Sequence, residues 1–299
     1  MSPYALDEEL RAAAAALPRV DRTDVMEARR ITASPDTGTP EGVSVSEQKV
    51  PSADGHGVRL RVYRPDRRTS DGVVYHVHGG GFILGDLGSS HLRNAEIARE
   101  VGADVVAVDY RLAPEWPFPT PVEDVYAGLV WIGGGAVLHG VSAGGALAAG
   151  AALLARDRGG PPVHGQLLVS PVTDDRLATA SSRCFTDTPA LTRRDLEVCW
   201  SAYLGSVVPG SAAVSPYAAP ARATDLTGLP RTYVSVAEFD PLRDEAIDFA
   251  RGLLMAGVPV ELHLFPGTYH GSLAVRGAAV SDRQRTEETT VLRTMLGDR

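Results

Sequence analysis

The chain has little sulfur to work with. Its 299 residues include two cysteines, Cys184 and Cys199. Thiols this sparse give no disulfide framework and fit a reducing compartment better than an oxidising one, although one bond between them stays open. No apolar run approaches the roughly 18 residues that a membrane-spanning helix needs, so no membrane span is expected. The N-terminus lacks a basic segment followed by an apolar one, so no signal peptide is read and a cytoplasmic location is the expectation. Positive charge is not in excess either. The formal net charge is −8, the wrong sign for a surface that binds nucleic-acid phosphates. No cluster has metal-ligand spacing. His76 and His78 lie two apart on one predicted strand and so share a face, but no carboxylate or third ligand stands near them. The glycine-rich stretches are not followed by Gly-Lys-Ser/Thr, and none reads G-x-G-x-x-G at the start of a helix after the first strand, which weakens a phosphate-binding reading.

What is present is an ordinary globular composition, 44% hydrophobic, in a chain long enough for a sizeable core. Residues 5–17 and 21–31 read as helices, with breaks at Pro35, Gly38, Pro40 and Gly42. From Val43 the pattern turns to strands. Residues 43–50 and 58–63 flank a hairpin turn, and 73–78, 103–109, 136–138, 163–170, 231–237 and 258–265 are short apolar runs. Helical patterns at 91–101, 121–132, 146–155, 244–256 and 282–296 separate them. Strand and helix alternating in this way predicts an α/β fold, a mostly parallel central sheet with helices on both faces. Residues 172–228 interrupt the alternation with one helix near 192–204, and read as an insertion over the sheet.

One stretch organises the chemistry. Gly140-Val141-Ser142-Ala143-Gly144-Gly145 reads G-x-S-x-G between an apolar strand, 136–138, and an alanine-rich helix. Strand, sharp turn and helix is the setting of a nucleophile elbow, which holds a serine hydroxyl clear of the sheet at a helix N-terminus. A serine hydroxyl is a weak nucleophile near neutral pH. It needs a base within hydrogen-bond reach and a group that orients the base. In this kind of fold the acid and then the histidine follow the serine along the chain. Asp240, after the strand at 231–237, and His270, after the last strand, stand in those places. Glu238 and Asp244 are rivals for the acid, and Asp240 also reads as a turn residue before a helix. A tetrahedral intermediate needs an oxyanion hole. His78-Gly79-Gly80-Gly81 follows a central strand, so the expected donors are the N–H groups of Gly80, Gly81 and Ala143.

Five motifs, in order, resemble the bacterial hormone-sensitive lipase-like esterases. They are His78-Gly79-Gly80-Gly81-Phe82, Tyr110-Arg111-Leu112-Ala113-Pro114-Glu115, Gly140-x-Ser142-Ala143-Gly144-Gly145, Asp240-Pro241-Leu242-Arg243-Asp244-Glu245 and His270-Gly271. The resemblance runs from about residue 45 to the C-terminus. It implies an α/β-hydrolase fold in which residues 1–45 supply N-terminal cap helices and 46–299 the catalytic domain, with a cap insertion at about 175–215. It implies a serine carboxylesterase that hydrolyses small, short-chain acyl esters through an acyl-enzyme. Ser142 would be the nucleophile, His270 the base and Asp240 its orienter, with no metal and no cofactor. Arg111, Glu115 and His78 would be structural. The cap would choose the substrate through Phe82, Leu191, Trp200, Tyr203 and Phe239. A homodimer is compatible with the family, but no residue specifies one.

The chain departs from the family at three places. Val141 stands where an acidic residue or threonine is usual, which predicts a missing polar group beside the elbow. Gly133-Gly134-Gly135 replaces a helix end and turn. Ser272 stands where an apolar residue often follows His-Gly. Hydrolysis of amides, lactones or carbamates by the same residues stays open, as does a non-catalytic small-molecule binding role.

Overall fold

The computed structural model describes residues 4–34, 38 and 40–297. Pro35 and the ends of both expected domains, at 1–3 and 298–299, lie outside the described residues.

Eight strands form one sheet: β1 (Val43–Pro51), β2 (Gly57–Pro65), β3 (Val73–Val77), β4 (Asp104–Asp109), β5 (Ala136–Val141), β6 (Val163–Val169), β7 (Thr232–Phe239) and β8 (Val260–Tyr269). Their order is β1-β2-β4-β3-β5-β6-β7-β8. β2 pairs antiparallel with β1 and β4, and every later pairing is parallel. Parallel strands need crossovers, and the helices supply them. α3 (His91–Val101) and α9 (Ala279–Gly297) cover one face, whereas α4 (Thr120–Ile132), α5 (Ala143–Asp157) and α8 (Arg243–Met255) cover the other.

Strand periodicity sorts the core. Tyr75, Val77 and Leu138 pack with α4, α5 and α8, while Val74 and Val137 pack with α3 and α9. Gly133, Gly134 and Gly135 all have positive φ, which lets the chain turn from α4 into β5 in three residues. β8 runs four residues further than its apolar stretch suggests, through Pro266 and Gly267. It lies at the sheet's edge, where a missing ladder donor is tolerated. The strand therefore delivers His270 directly from its end.

The N-terminal part holds α1 (Glu8–Ala16) and α2 (Val25–Thr32). α2 starts later than the sequence suggests. Asp21 accepts from Thr23 N–H in a turn, and Asp24 caps the helix by accepting from Glu27 N–H. The stretch between β6 and β7 holds α6 (Ala180–Cys184), which the sequence pattern did not reveal, and α7 (Arg193–Leu204). Thr192 and Asp195 close a capping box at the start of α7. These two parts of the chain meet. Arg22 pairs with Asp195 at 2.8 Å and donates to Ala190 O, and the Tyr4 hydroxyl donates to Asp187.

Candidate active site

β5 ends at Val141 and α5 begins at Ala143, so the turn between them is one residue, Ser142. Its backbone sits at φ 55°, ψ −120°, a region that costs an ordinary residue of order 1–3 kcal/mol and persists only where its surroundings enforce it. They do so through hydrogen bonds. Ser142 N–H donates to Val169 O, and Ser142 O accepts from both Gly145 N–H and Val172 N–H. Space is equally restrictive. A Cβ on Gly144 would lie 2.1 Å from Val77 O, and one on Gly140 would lie 2.5 Å from Gly144 O. These glycines are required because strand β3, helix α5 and the turn pass too close for a side chain.

The ends of β7 and β8 bring the other two residues to the serine. His270 Nε2 lies 3.0 Å from Ser142 Oγ, and His270 Nδ1 lies 2.7 Å from Asp240 Oδ2. With Nδ1 donating to the carboxylate, Nε2 is left as the acceptor for the serine proton. The Asp240 carboxylate is 1% exposed. Its other oxygen accepts from Leu242 N–H at 2.9 Å, so it also serves as the turn residue before α8. Both rivals are engaged elsewhere. Glu238 accepts from Gly267 N–H, and Asp244 accepts from Ser181 N–H and pairs with Arg243.

The glycine loop after β3 turns beside the elbow. A Cβ on Gly79 would lie 3.2 Å from Ser142 Cβ, and Gly80 and Gly81 both have positive φ. Ala143 opens α5, so its N–H has no partner inside the helix. Among the described residues, the backbone hydrogen bonds outside helices and strands use none of the N–H groups of Gly80, Gly81 and Ala143. His78 lies beyond the end of β3. It bonds Gly79 O through Nδ1 and stacks on Tyr110. Arg111 holds Asp124 and Asp54, and Glu115 takes a bidentate bond from Arg29 of α2. Arg29 also donates to Ile83 O and Ala113 O, which fastens α2 to the glycine loop.

A cavity of about 450 Å³ opens beside His270 on the α3/α9 side of the sheet. Phe82, Leu191, Trp200, Tyr203 and Phe239 are not among its lining residues. The structure instead brings three of them together as packing. Phe82 and Tyr203 stack with ring centres 4.0 Å apart, Trp200 leans on both, and all three are fully buried. Leu191 is buried, and Phe239 packs against Tyr4 and Phe185. The aromatic group ties α7 to the glycine loop.

The cavity has residues the sequence did not single out for it: Val141, Ser170, Ser272, His139, Gln284 and Glu288. β3 and β5 are neighbours, so His76 and His139 stand side by side, with their Nδ1 atoms 3.1 Å apart. His139 stands two residues before Val141 on β5 and so faces the same side of the sheet. Burial, above all, pushes the pKa of His76 well below its ordinary value and that of His139 down to about 3. Both rings are neutral near pH 7. Burial raises Glu288 to about 7, against the pull of Arg93. Among the described residues, no group of three or more His, Cys, Asp or Glu is arranged to hold a metal ion, and no helix is long and apolar enough to cross a membrane.

Residues 74–274 match the model of a family described as alpha/beta hydrolase fold. The chain is 37% identical over 245 residues to esterase LipI of Mycobacterium tuberculosis, covering 78% of this chain and 75% of that one. It is 40% identical over 244 residues to carboxylesterase NlhH of the same species, covering 75% and 74%. The solved structure of a bacterial heroin esterase superposes with a TM-score of 0.93 at 46% identity over 98% of each chain.

Proposed function

The chain belongs to the α/β-hydrolase family, among its hormone-sensitive lipase-like esterases, and from that premise we propose that it is a serine carboxylesterase acting on small acyl esters through Ser142, His270 and Asp240. The observation that carries the site assignment is the unbroken run of hydrogen bonds from Asp240 Oδ2 through His270 to Ser142 Oγ at the elbow.

The chemistry follows from that geometry. His270 Nε2 takes the Ser142 proton as Oγ attacks the ester carbonyl. Negative charge moves to the carbonyl oxygen, where the N–H groups of Gly80, Gly81 and Ala143 stabilise it. Asp240 stays ionised and stabilises the imidazolium. The C–O bond to the alcohol breaks, and the alcohol leaves with the proton from His270 Nε2. Water, deprotonated by the same nitrogen, then releases the acid from Ser142. The relatives' names (esterase, carboxylesterase, heroin esterase) support ester over amide as the bond broken.

Hydrolysis of p-nitrophenyl esters from acetate to decanoate, beside a Ser142→Ala control, tests this reading. Turnover that peaks at short chains and disappears in the control is the expected result. A folded protein that turns over no chain length overturns it.

A further inference from the structure

The cavity beside His270 has both apolar and polar lining. It meets the triad at His270, where Val141, Val169 and Ala237 line it together with Ser170 and Ser272. Its polar lining includes His76, His139 and Glu288, each at least 98% buried, with Gln284 and the Arg93 guanidinium beside them. Among the described residues, His76 Nε2, His139 Nε2, Arg93 Nε and Glu288 Oε2, all on lining residues, have no hydrogen-bond partner. Glu288 Oε2 lies 3.6 Å from Arg93 Nη2, close enough to feel its charge but too far for a hydrogen bond. Buried polar atoms are rarely left unpaired, because each lost partner costs about 1–3 kcal/mol. A cavity lined by residues with four such atoms is built to receive a polar group.

The histidine pair fixes what that group must offer. Each neutral imidazole carries one N–H. The two Nδ1 atoms share one hydrogen bond, so one ring holds its proton at Nδ1 and the other does not. The first ring presents a bare Nε2, an acceptor, and the second presents Nε2–H, a donor. A hydroxyl is both donor and acceptor, and matches this pair without any change of charge. A carboxylate does not, because it cannot donate.

Geometry decides which part of the ester enters. The leaving oxygen must collect its proton from His270, and His270, Gly271 and Ser272 line this cavity. The glycine loop that would face the carbonyl oxygen does not. We propose that the cavity takes the alcohol part of the ester, and that His76, His139 and Glu288 select alcohols carrying a second hydroxyl, so that the preferred substrates are mono-esters of diols and polyols. This rests on the esterase reading above.

The test keeps the acyl group constant. The mono-acetates of ethane-1,2-diol, butane-1,4-diol and hexane-1,6-diol are compared with ethyl, butyl and hexyl acetate, with p-nitrophenyl acetate as the reference. An apolar cavity would penalise the extra hydroxyl at every length. The expected result is the reverse at the length that reaches these polar atoms, a preference in kcat/KM of about tenfold or more for the diol ester. His139→Leu and, separately, Glu288→Met should bring that ratio down to about one or below. The ratio is taken within each variant, so a general change in turnover does not enter the comparison. Because either variant could fail to fold, a second measurement needs none: in the unaltered protein, butane-1,4-diol or hexane-1,6-diol should inhibit p-nitrophenyl acetate hydrolysis more strongly than the matching alkanol. A uniform preference for the alkyl acetates, or an unchanged ratio in a folded variant, overturns the assignment. Absence of p-nitrophenyl acetate turnover overturns the esterase reading, and this one with it.

Discussion

Asp240 Oδ2 and His270 Nδ1 lie 2.7 Å apart, while the other oxygen of Asp240 accepts from Leu242 N–H at 2.9 Å. Both oxygens face donors, and the carboxylate is sealed from solvent. An asparagine here cannot satisfy both. Whichever way its amide turns, one N–H meets another, or the imidazole moves its proton to Nε2 and loses the ability to accept from Ser142. Asp240→Asn should lower kcat/KM for p-nitrophenyl acetate by roughly 10³- to 10⁴-fold. The Leu242 bond can survive, so thermal unfolding should shift far less than activity. A loss below about tenfold would show that His270 does not depend on Asp240.

Gly81 faces Cys199 of α7. A Cβ built on Gly81 would lie 2.4 Å from Cys199 Sγ but 3.4 Å from its Cβ. Burial raises the thiol to about 12, so the group acts as packing rather than as a nucleophile. Gly81→Ala therefore combines a steric clash with the strain of an alanine at φ 62°. Together these should cost about 3 kcal/mol or more. In a Cys199→Ala background the clash is gone and only the backbone cost remains, about 1–2 kcal/mol. Urea unfolding of the two single variants and the double variant measures the coupling. Strictly additive effects would mean that the loop shifts away from α7 without resistance.

Arg29 and Glu115 form a bidentate pair, but the partners matter unequally. The Glu115 carboxylate is 48% exposed, so its share of the ion pair is worth little, about 0–1 kcal/mol. Arg29 also donates to the carbonyls of Ile83 and Ala113, two links that no other residue of α2 supplies. Arg29→Ala should destabilise by about 2 kcal/mol and expose residues 17–34 to limited proteolysis. Glu115→Gln should do neither. Equal effects would assign the docking of α2 to the ion pair alone.

The elbow and its partners were legible because they depend on short-range features. Gly140 and Gly144 mark a turn that admits no Cβ, and Asp240 and His270 each stand at the end of a strand in the required chain order. The sheet was legible from its apolar runs. The path of β8 was not, because Pro266 and Gly267 look like a break until the strand is seen to lie at the edge. The roles of Phe82, Trp200 and Tyr203 were not legible either. An aromatic residue near a serine reads the same whether it lines a pocket or fills the space between a helix and a loop, and only tertiary packing separates the two. His76 and His139 stand 63 positions apart. Their pairing depends on β3 lying beside β5, which strand order alone reveals.

His139 makes the stability of the protein sensitive to acid in a way that can be isolated. Its folded pKa is held at about 3, chiefly by burial and then by Arg93, whereas an unfolded histidine titrates near 6.5. Below about pH 6.5 the unfolded chain takes up a proton that the folded chain refuses. Stability from this ring is therefore complete above pH 6.5 and is lost progressively as pH falls toward 3. His139→Gln removes the titration while keeping a polar partner for His76. At pH 7 the variant should be less stable than the parent. Between pH 7 and pH 5 the parent should lose about 2 kcal/mol more than the variant, so the gap should narrow or reverse. Glu288, which burial raises to about 7, titrates in the same window but is present in both proteins and drops out of the difference. Urea unfolding at the two pH values gives the comparison directly. A gap that stays constant would mean that the folded protein protonates His139 as readily as the unfolded chain does, and that burial does not hold the ring neutral.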